Sequence, residues 1–151
     1  MMQSRRMDPL LRRAQDHEDE VARDLAERQR ALETHTSRLE ELRRYAEEYA
    51  SSQMALTSPA QLANRRAFIE RLESAVQQQS QTVDRNRERV EAERARLLLA
   101  SRDKQVLEQL AASYRAQEKV VTDRRDQREM DDLGARRVRL MQRDDESGDA
   151  A

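Results

Sequence analysis

Any chemistry in this sequence has few residues to draw on. His17 and His35 are its only histidines, Glu18-Asp19-Glu20 and Glu40-Glu41 are its first carboxylate runs, and it contains no cysteine. A histidine beside acids can move protons or hold zinc, but only where a fold makes the groups converge on a cleft. Neither histidine belongs to a spaced His-plus-acid zinc pattern, and there is no phosphate-binding glycine loop or nucleophile motif. The carboxylate runs are read as solvated helix faces with basic partners four residues away. His35 is read as a polar layer that fixes helix register. No catalytic residue, cofactor or metal ligand is therefore expected, and the chain is read as a non-enzyme.

Two other groups suit binding. Tyr45, Tyr49 and Phe68 are three of the four aromatic residues, and they flank one short segment. They either seal the end of a coil or form a patch for a partner, since aromatic rings give large contact area at small entropic cost. Arg124, Arg125, Arg128, Arg136 and Arg137 are either a solvated face or contacts to an acidic surface.

The elements that must position these residues follow from periodicity. Asp8-Pro9 reads as a helix start, because Asp accepts from a free first-turn amide and Pro lacks the amide that would go unpaired. From there Leu11, Glu18, Leu25, Leu32, Leu39 and Ala46 recur every seven residues, with Ala14, Val21, Arg28, His35, Leu42 and Tyr49 three residues on. Such spacing is a coiled-coil seam. The pattern fades over 53–58, and Ser58-Pro59-Ala60-Gln61 has the form of a capping box. A second heptad then runs through Leu62, Ile69, Val76, Val83, Val90, Leu97, Lys104 and Ala111, accompanied by Arg65, Leu72, Gln79, Asn86, Glu93, Ala100, Leu107, Tyr114 and Val121. Helix 1 is expected over about 9–52 and helix 2 over about 59–143, one domain in all. The acidic stretch 144–151 cannot bury apolar surface and is expected to be a disordered tail.

In an antiparallel hairpin the numbers of facing residues have a constant sum. A value of 114 to 115 sets Leu42 against Leu72, Leu39 against Val76, Leu32 against Val83 and Leu25 against Val90, with His35 against Gln79 and Arg28 against Asn86. Apolar meets apolar and polar meets polar. Tyr45 falls across from Phe68, while Val21 facing Glu93 and Leu11 facing Lys104 break the rule. The expected fold is all-α, a long antiparallel two-helix coiled-coil hairpin. Helix 2 would overhang by about 35 residues beyond Lys104, carrying Leu107, Leu110, Tyr114, Val121 and Leu133 without a partner helix.

Composition agrees. Charged residues are 39% and aromatics 3% of the 151 residues, too little bulk for a thick core. With 29 basic and 30 acidic residues no field of one sign covers the chain, and nucleic-acid binding is not expected. The absence of cysteine suits a reducing compartment, no run approaches the roughly 20 apolar residues of a membrane span, and the start lacks a signal-peptide core. A cytoplasmic protein, monomeric when free, is the expectation.

The order of these pieces resembles the flagellar type III export protein family FliJ and its YscO-type injectisome relatives. The resemblance rests on Leu42, Tyr45 and Tyr49 in a short first helix, a polar turn, the Phe68 to Val76 segment followed by a glutamine run, and the charged stretch Asp126 to Asp132. It implies a non-enzymatic stalk and adaptor that binds the centre of the hexameric export ATPase FliI, the cytoplasmic domain of the export gate protein FlhA, and export chaperones, at the inner face of the membrane without insertion. The family's gate-binding surface corresponds to Arg38, Leu42, Tyr45, Tyr49, Phe68, Leu72, Ala75 and Gln79. The opposite end enters the ATPase ring, and Arg12, Arg13, Arg124, Arg128 and Arg136 are its candidates by charge and location. The competing expectation is a parallel homodimeric coiled-coil scaffold unrelated to export.

Overall fold

A computed structural model describes residues 2–52 and 58–149, so most of the expected turn, 53–57, lies outside the described residues. The described chain is two helices, α1 over Gln3–Ser51 and α2 over Pro59–Asp149. Contacts divide it into two units. One holds residues 14–103; the other joins the first 13 residues to those from Lys104 onward.

In the 14–103 unit the two helices pair antiparallel, as the heptads require. Its core is Val21, Leu39, Leu72, Val83, Val90 and Ala100, all buried. Each large apolar side chain in such a seam contributes about 1.5–3 kcal/mol when fully buried. The register is fixed by a polar layer: the Gln79 amide nitrogen donates to His35 Nδ1 at 3.2 Å and to the His35 carbonyl at 3.0 Å. Because an amide nitrogen only donates, Nδ1 accepts and the ring proton resides on Nε2.

The neighbouring layer differs from expectation. Arg28 is exposed and does not complete a pair with Asn86. Asn86 is buried and satisfies its amide on the Thr82 carbonyl of its own helix at 2.8 Å. A long guanidinium reaches water more cheaply than it desolvates, and a short amide has a carbonyl one turn back. The mismatch at Val21 is also resolved locally. Val21 is fully buried, while Glu93 is held by both carboxylate oxygens on Arg96, which also lies 3.8 Å from Asp24 of α1.

In the other unit α1 begins six residues before the expected start, and Pro9 lies inside the helix. An interior proline costs about 3 kcal/mol because a backbone hydrogen bond is lost. Two features offset it. Met7 is buried, as is Ala111 on α2, and Ser4 donates twice to Glu118, from its amide to Oε1 at 3.0 Å and from its hydroxyl to Oε2 at 2.6 Å. Glu118 thus acts as an N-cap supplied by the other helix, a carboxylate at the positive end of the α1 dipole. These contacts carry pairing past Lys104 to Glu118. Leu107 and Tyr114 are half-buried rather than unpartnered, and the fully exposed stretch begins only at Lys119.

α2 is described as far as Asp149. Extending a formed helix adds one hydrogen bond per residue without a new nucleus, and no residue here has the positive φ that would stop it.

The Ser4 hydroxyl and amide hold the Glu118 carboxyl below its ordinary value of 4.5, with a backbone bond from Gln3 and the charge of Arg115 adding to the effect and desolvation opposing it. A depressed folded-state pKa contributes stability that is complete above the unfolded value and is lost as pH falls through the folded one. Acidification below about 4.5 should therefore loosen the first turns of α1 before the rest of the helix. Hydrogen exchange should report this at Ser4 to Met7, and Glu118→Gln should show the same loosening already at neutral pH.

Candidate functional site

The end of α1 and the start of α2 are shaped by two caps. Ser58 accepts from the Gln61 amide at 3.2 Å, and its carbonyl accepts from the Leu62 amide, which starts α2 with Pro59 at the first helical position. Arg65 then reaches from α2 to the last carbonyls of α1. Its Nη2 donates to Ser52 at 2.8 Å, Ala50 at 3.2 Å and Tyr49 at 3.4 Å, and its guanidinium carbon lies 6.0 Å from the Tyr49 ring centroid. A cation on orphan carbonyls at a helix C-terminus satisfies both hydrogen bonding and the dipole.

This cap positions the aromatic residues. Tyr49 and Phe68 have centroids 4.6 Å apart, Tyr45 and Phe68 meet edge-on at 6.5 Å and 84°, and Tyr45 lies 6.5 Å from Tyr49. The expected juxtaposition of Tyr45 and Phe68 is present. Leu72 closes the floor and is buried, while Leu42, Ala75 and Gln79 are half-buried and Arg38 is exposed. Gln79 is committed to His35, so it borders the cluster as part of the register layer. Tyr45 remains 50% exposed, so the aromatic surface is only partly used by the hairpin. The tilted and edge-on geometries are the favourable ones for aromatic pairs.

The five arginines proposed for the other end lie together in one unit without converging on a point. Arg12 and Arg13 are exposed on α1, and Arg124, Arg128 and Arg136 are exposed on α2 where it has no partner helix. None of the five has an ion-pair partner among the described residues. Along the same part of α2 Met130, Leu133, Val138, Leu140 and Met141 are all more than half exposed.

Arg65 and Glu118 are the residues that sequence reading missed. Arg65 had a signal, since a basic residue in a seam two turns after a helix start faces the end of the preceding helix. Glu118 had none, because Pro9 masked the turns of α1 that it caps.

Among the described residues no group of three or more His, Cys, Asp and Glu is placed to hold a metal ion, and no helix is long and apolar enough to cross a membrane. Two long helices paired along heptad seams make this an all-α protein of the coiled-coil class. More particularly, the family model of the flagellar FliJ protein matches residues 2–143, and the chain belongs to that family. No curated protein and no solved structure matches it. The family is a non-catalytic, cytoplasmic component of flagellar export, which gives the chain an export-related role.

Replacing Arg65 by Ala should cost about 1–2 kcal/mol through the orphaned carbonyls. Chemical denaturation would measure it, and Arg65→Lys should recover less than half, because the ammonium lacks the planar guanidinium that lies 6.0 Å from the Tyr49 ring centroid and carries Nη2 to the carbonyls.

Proposed function

We propose that the chain is a stalk and adaptor of the flagellar type III export apparatus. In this reading the aromatic cluster docks on the cytoplasmic domain of the export gate protein FlhA, and the unpaired end of α2 enters the central channel of the export ATPase FliI. It thereby couples an ATPase ring to a membrane gate from the cytoplasmic side, peripheral to the membrane, and assists the cycling of export chaperones. The observation that carries the reading is the aromatic cluster. Tyr45 keeps half its surface in water although Phe68 and Tyr49 are beside it, and rigid aromatics with unused area are the usual anchors of protein interfaces. The gate surface is Leu42, Tyr45, Tyr49, Phe68, Leu72 and Ala75, with Arg38 and Gln79 at its margin.

The ATPase contact is assigned by charge, to Arg12, Arg13, Arg124, Arg128 and Arg136. A helix whose exposed arginines lack intramolecular partners gives up little on meeting acidic walls, and a lone helix fits a narrow channel. The parallel homodimeric scaffold is disfavoured by the His35–Gln79 bond, which joins the two seams within one chain.

Changing Tyr45, Tyr49 and Phe68 together to Ala should weaken binding to the FlhA cytoplasmic domain at least ~100-fold, each anchor contributing about 1 kcal/mol or more. Circular dichroism should stay nearly unchanged. Full-strength binding by that variant would remove the tip as the gate surface. For the other end, FliI hydrolysis is followed across a titration of this protein and of a form truncated after Val121. Saturable stimulation that the truncated form lacks is the expected result; equal stimulation by both would move the contact off the unpaired stretch.

A further inference from the structure

α2 carries a second pattern on the face away from its seam. Val106, Ser113 and Val120 recur seven residues apart. Gln109 and Ala116 follow on one flank of that line, Leu110 and Gln117 on the other. All are exposed, Val106 at 62%, Leu110 at 40% and Val120 at 48%, whereas Ala111 and Glu118 face α1. The pattern is a palindrome. Reading outward from Ser113, one direction gives Leu110, Gln109, Val106, Asp103 and Arg102, and the other gives Ala116, Gln117, Val120, Asp123 and Arg124.

A twofold axis makes use of such a sequence, because an isologous interface presents one surface to itself. We infer that this face pairs two copies of the chain antiparallel, with the axis at Ser113. Val106 then packs on Val120 of the second copy, and Ser113 meets its own equivalent. Small residues at the centre, Ser113 and Ala116, let the helices approach closely. The axis keeps each flank on its own side. Arg102 therefore meets Asp123 of the second copy on one flank, and Asp103 meets Arg124 of the second copy on the other, giving four contacts of opposite sign. None of these four side chains has an ion-pair partner among the described residues. Charge complementarity thus selects a second copy of this chain over an unrelated apolar partner.

The patch is small, and the pairing is accordingly weak and concentration-dependent. It rests on a different observation from the export reading and uses neither the aromatic cluster nor the intrachain seam, although Arg124 also belongs to the proposed ATPase contact.

The full-length protein is tested by sedimentation equilibrium up to about 500 µM, a range that captures interfaces below standard size. A monomer–dimer equilibrium is expected, weakened at least ~10-fold by Arg102→Asp, which sets two acids against each other, and largely restored in the double variant Arg102→Asp/Asp123→Arg. Direction is read by cysteines, which the native chain lacks. Ser113→Cys should form a covalent dimer on mild oxidation, as should a mixture of Val106→Cys with Val120→Cys, but Val106→Cys alone should not, since the dyad keeps its two copies far beyond the ~7 Å Cα separation a disulfide spans. A monomer throughout that range, failure of the charge swap to restore pairing, or efficient cross-linking of Val106→Cys alone would each overturn the inference. Full-strength FlhA binding by the Tyr45, Tyr49 and Phe68 variant, the outcome that would remove the gate reading, would leave these readouts unchanged, since none of the three lies on this face, so the two readings fail separately; the form truncated after Val121 lacks Asp123 and Arg124 and is not used for this test.

Discussion

Every helix has four amides at one end and four carbonyls at the other that its own hydrogen bonds cannot reach, and in this protein α2 supplies the partners for both ends of α1. Glu118 receives the Ser4 amide and hydroxyl at the start. Arg65 spans three carbonyls at the finish. The signs follow the dipole, a carboxylate at the positive end and a guanidinium at the negative end. A narrow seam of valines and leucines is non-directional and tolerates sliding by a heptad. Charged caps do not, because displacement by a turn would leave backbone groups unpaired. Each cap therefore fixes its own stretch of α1 against α2.

Between the caps, register relies on polarity as much as on apolar contact. His35 and Gln79 join the helices through two bonds from one amide nitrogen, a pairing that apolar neighbours cannot imitate. Asn86 shows the contrasting solution, a buried amide returned to its own helix. Glu93 shows a third, a carboxylate neutralised by Arg96 within α2 while the same arginine reaches toward Asp24. Polar seam residues thus do different work according to side-chain length and to what lies one turn away.

Much of this was legible in the sequence. The heptads gave the all-α hairpin, the constant sum placed His35 against Gln79 and Tyr45 against Phe68, and Ser58-Pro59 gave the start of α2. The failures have specific causes. Pro9 reads as a boundary because its local cost is known, whereas part of the compensation comes from Glu118, more than a hundred positions away. Arg28 and Asn86 were paired because heptad arithmetic treats a seam position as a point and ignores how far a side chain can snorkel. The aromatic residues were located correctly, but Arg65, which holds the end of α1 beside them, was counted only as a seam position. Local pattern reveals elements and faces; it does not reveal caps made between helices.

The seam also explains why the exposed surface of α2 is informative. A residue on the face toward α1 is constrained by packing, so its identity reports the fold. From Lys119 onward no partner helix imposes such a constraint, and isolated helix is only marginally stable in water. A structural role alone would be served there by alanine, glutamate and lysine, the strongest helix formers. The stretch instead carries Met130, Leu133, Leu140 and Met141, each at least 60% exposed, together with seven arginines. Exposed apolar groups interleaved with arginine gain free energy only when something covers them. The hairpin itself leaves that surface uncovered, so the identity of its residues reports something other than packing against α1.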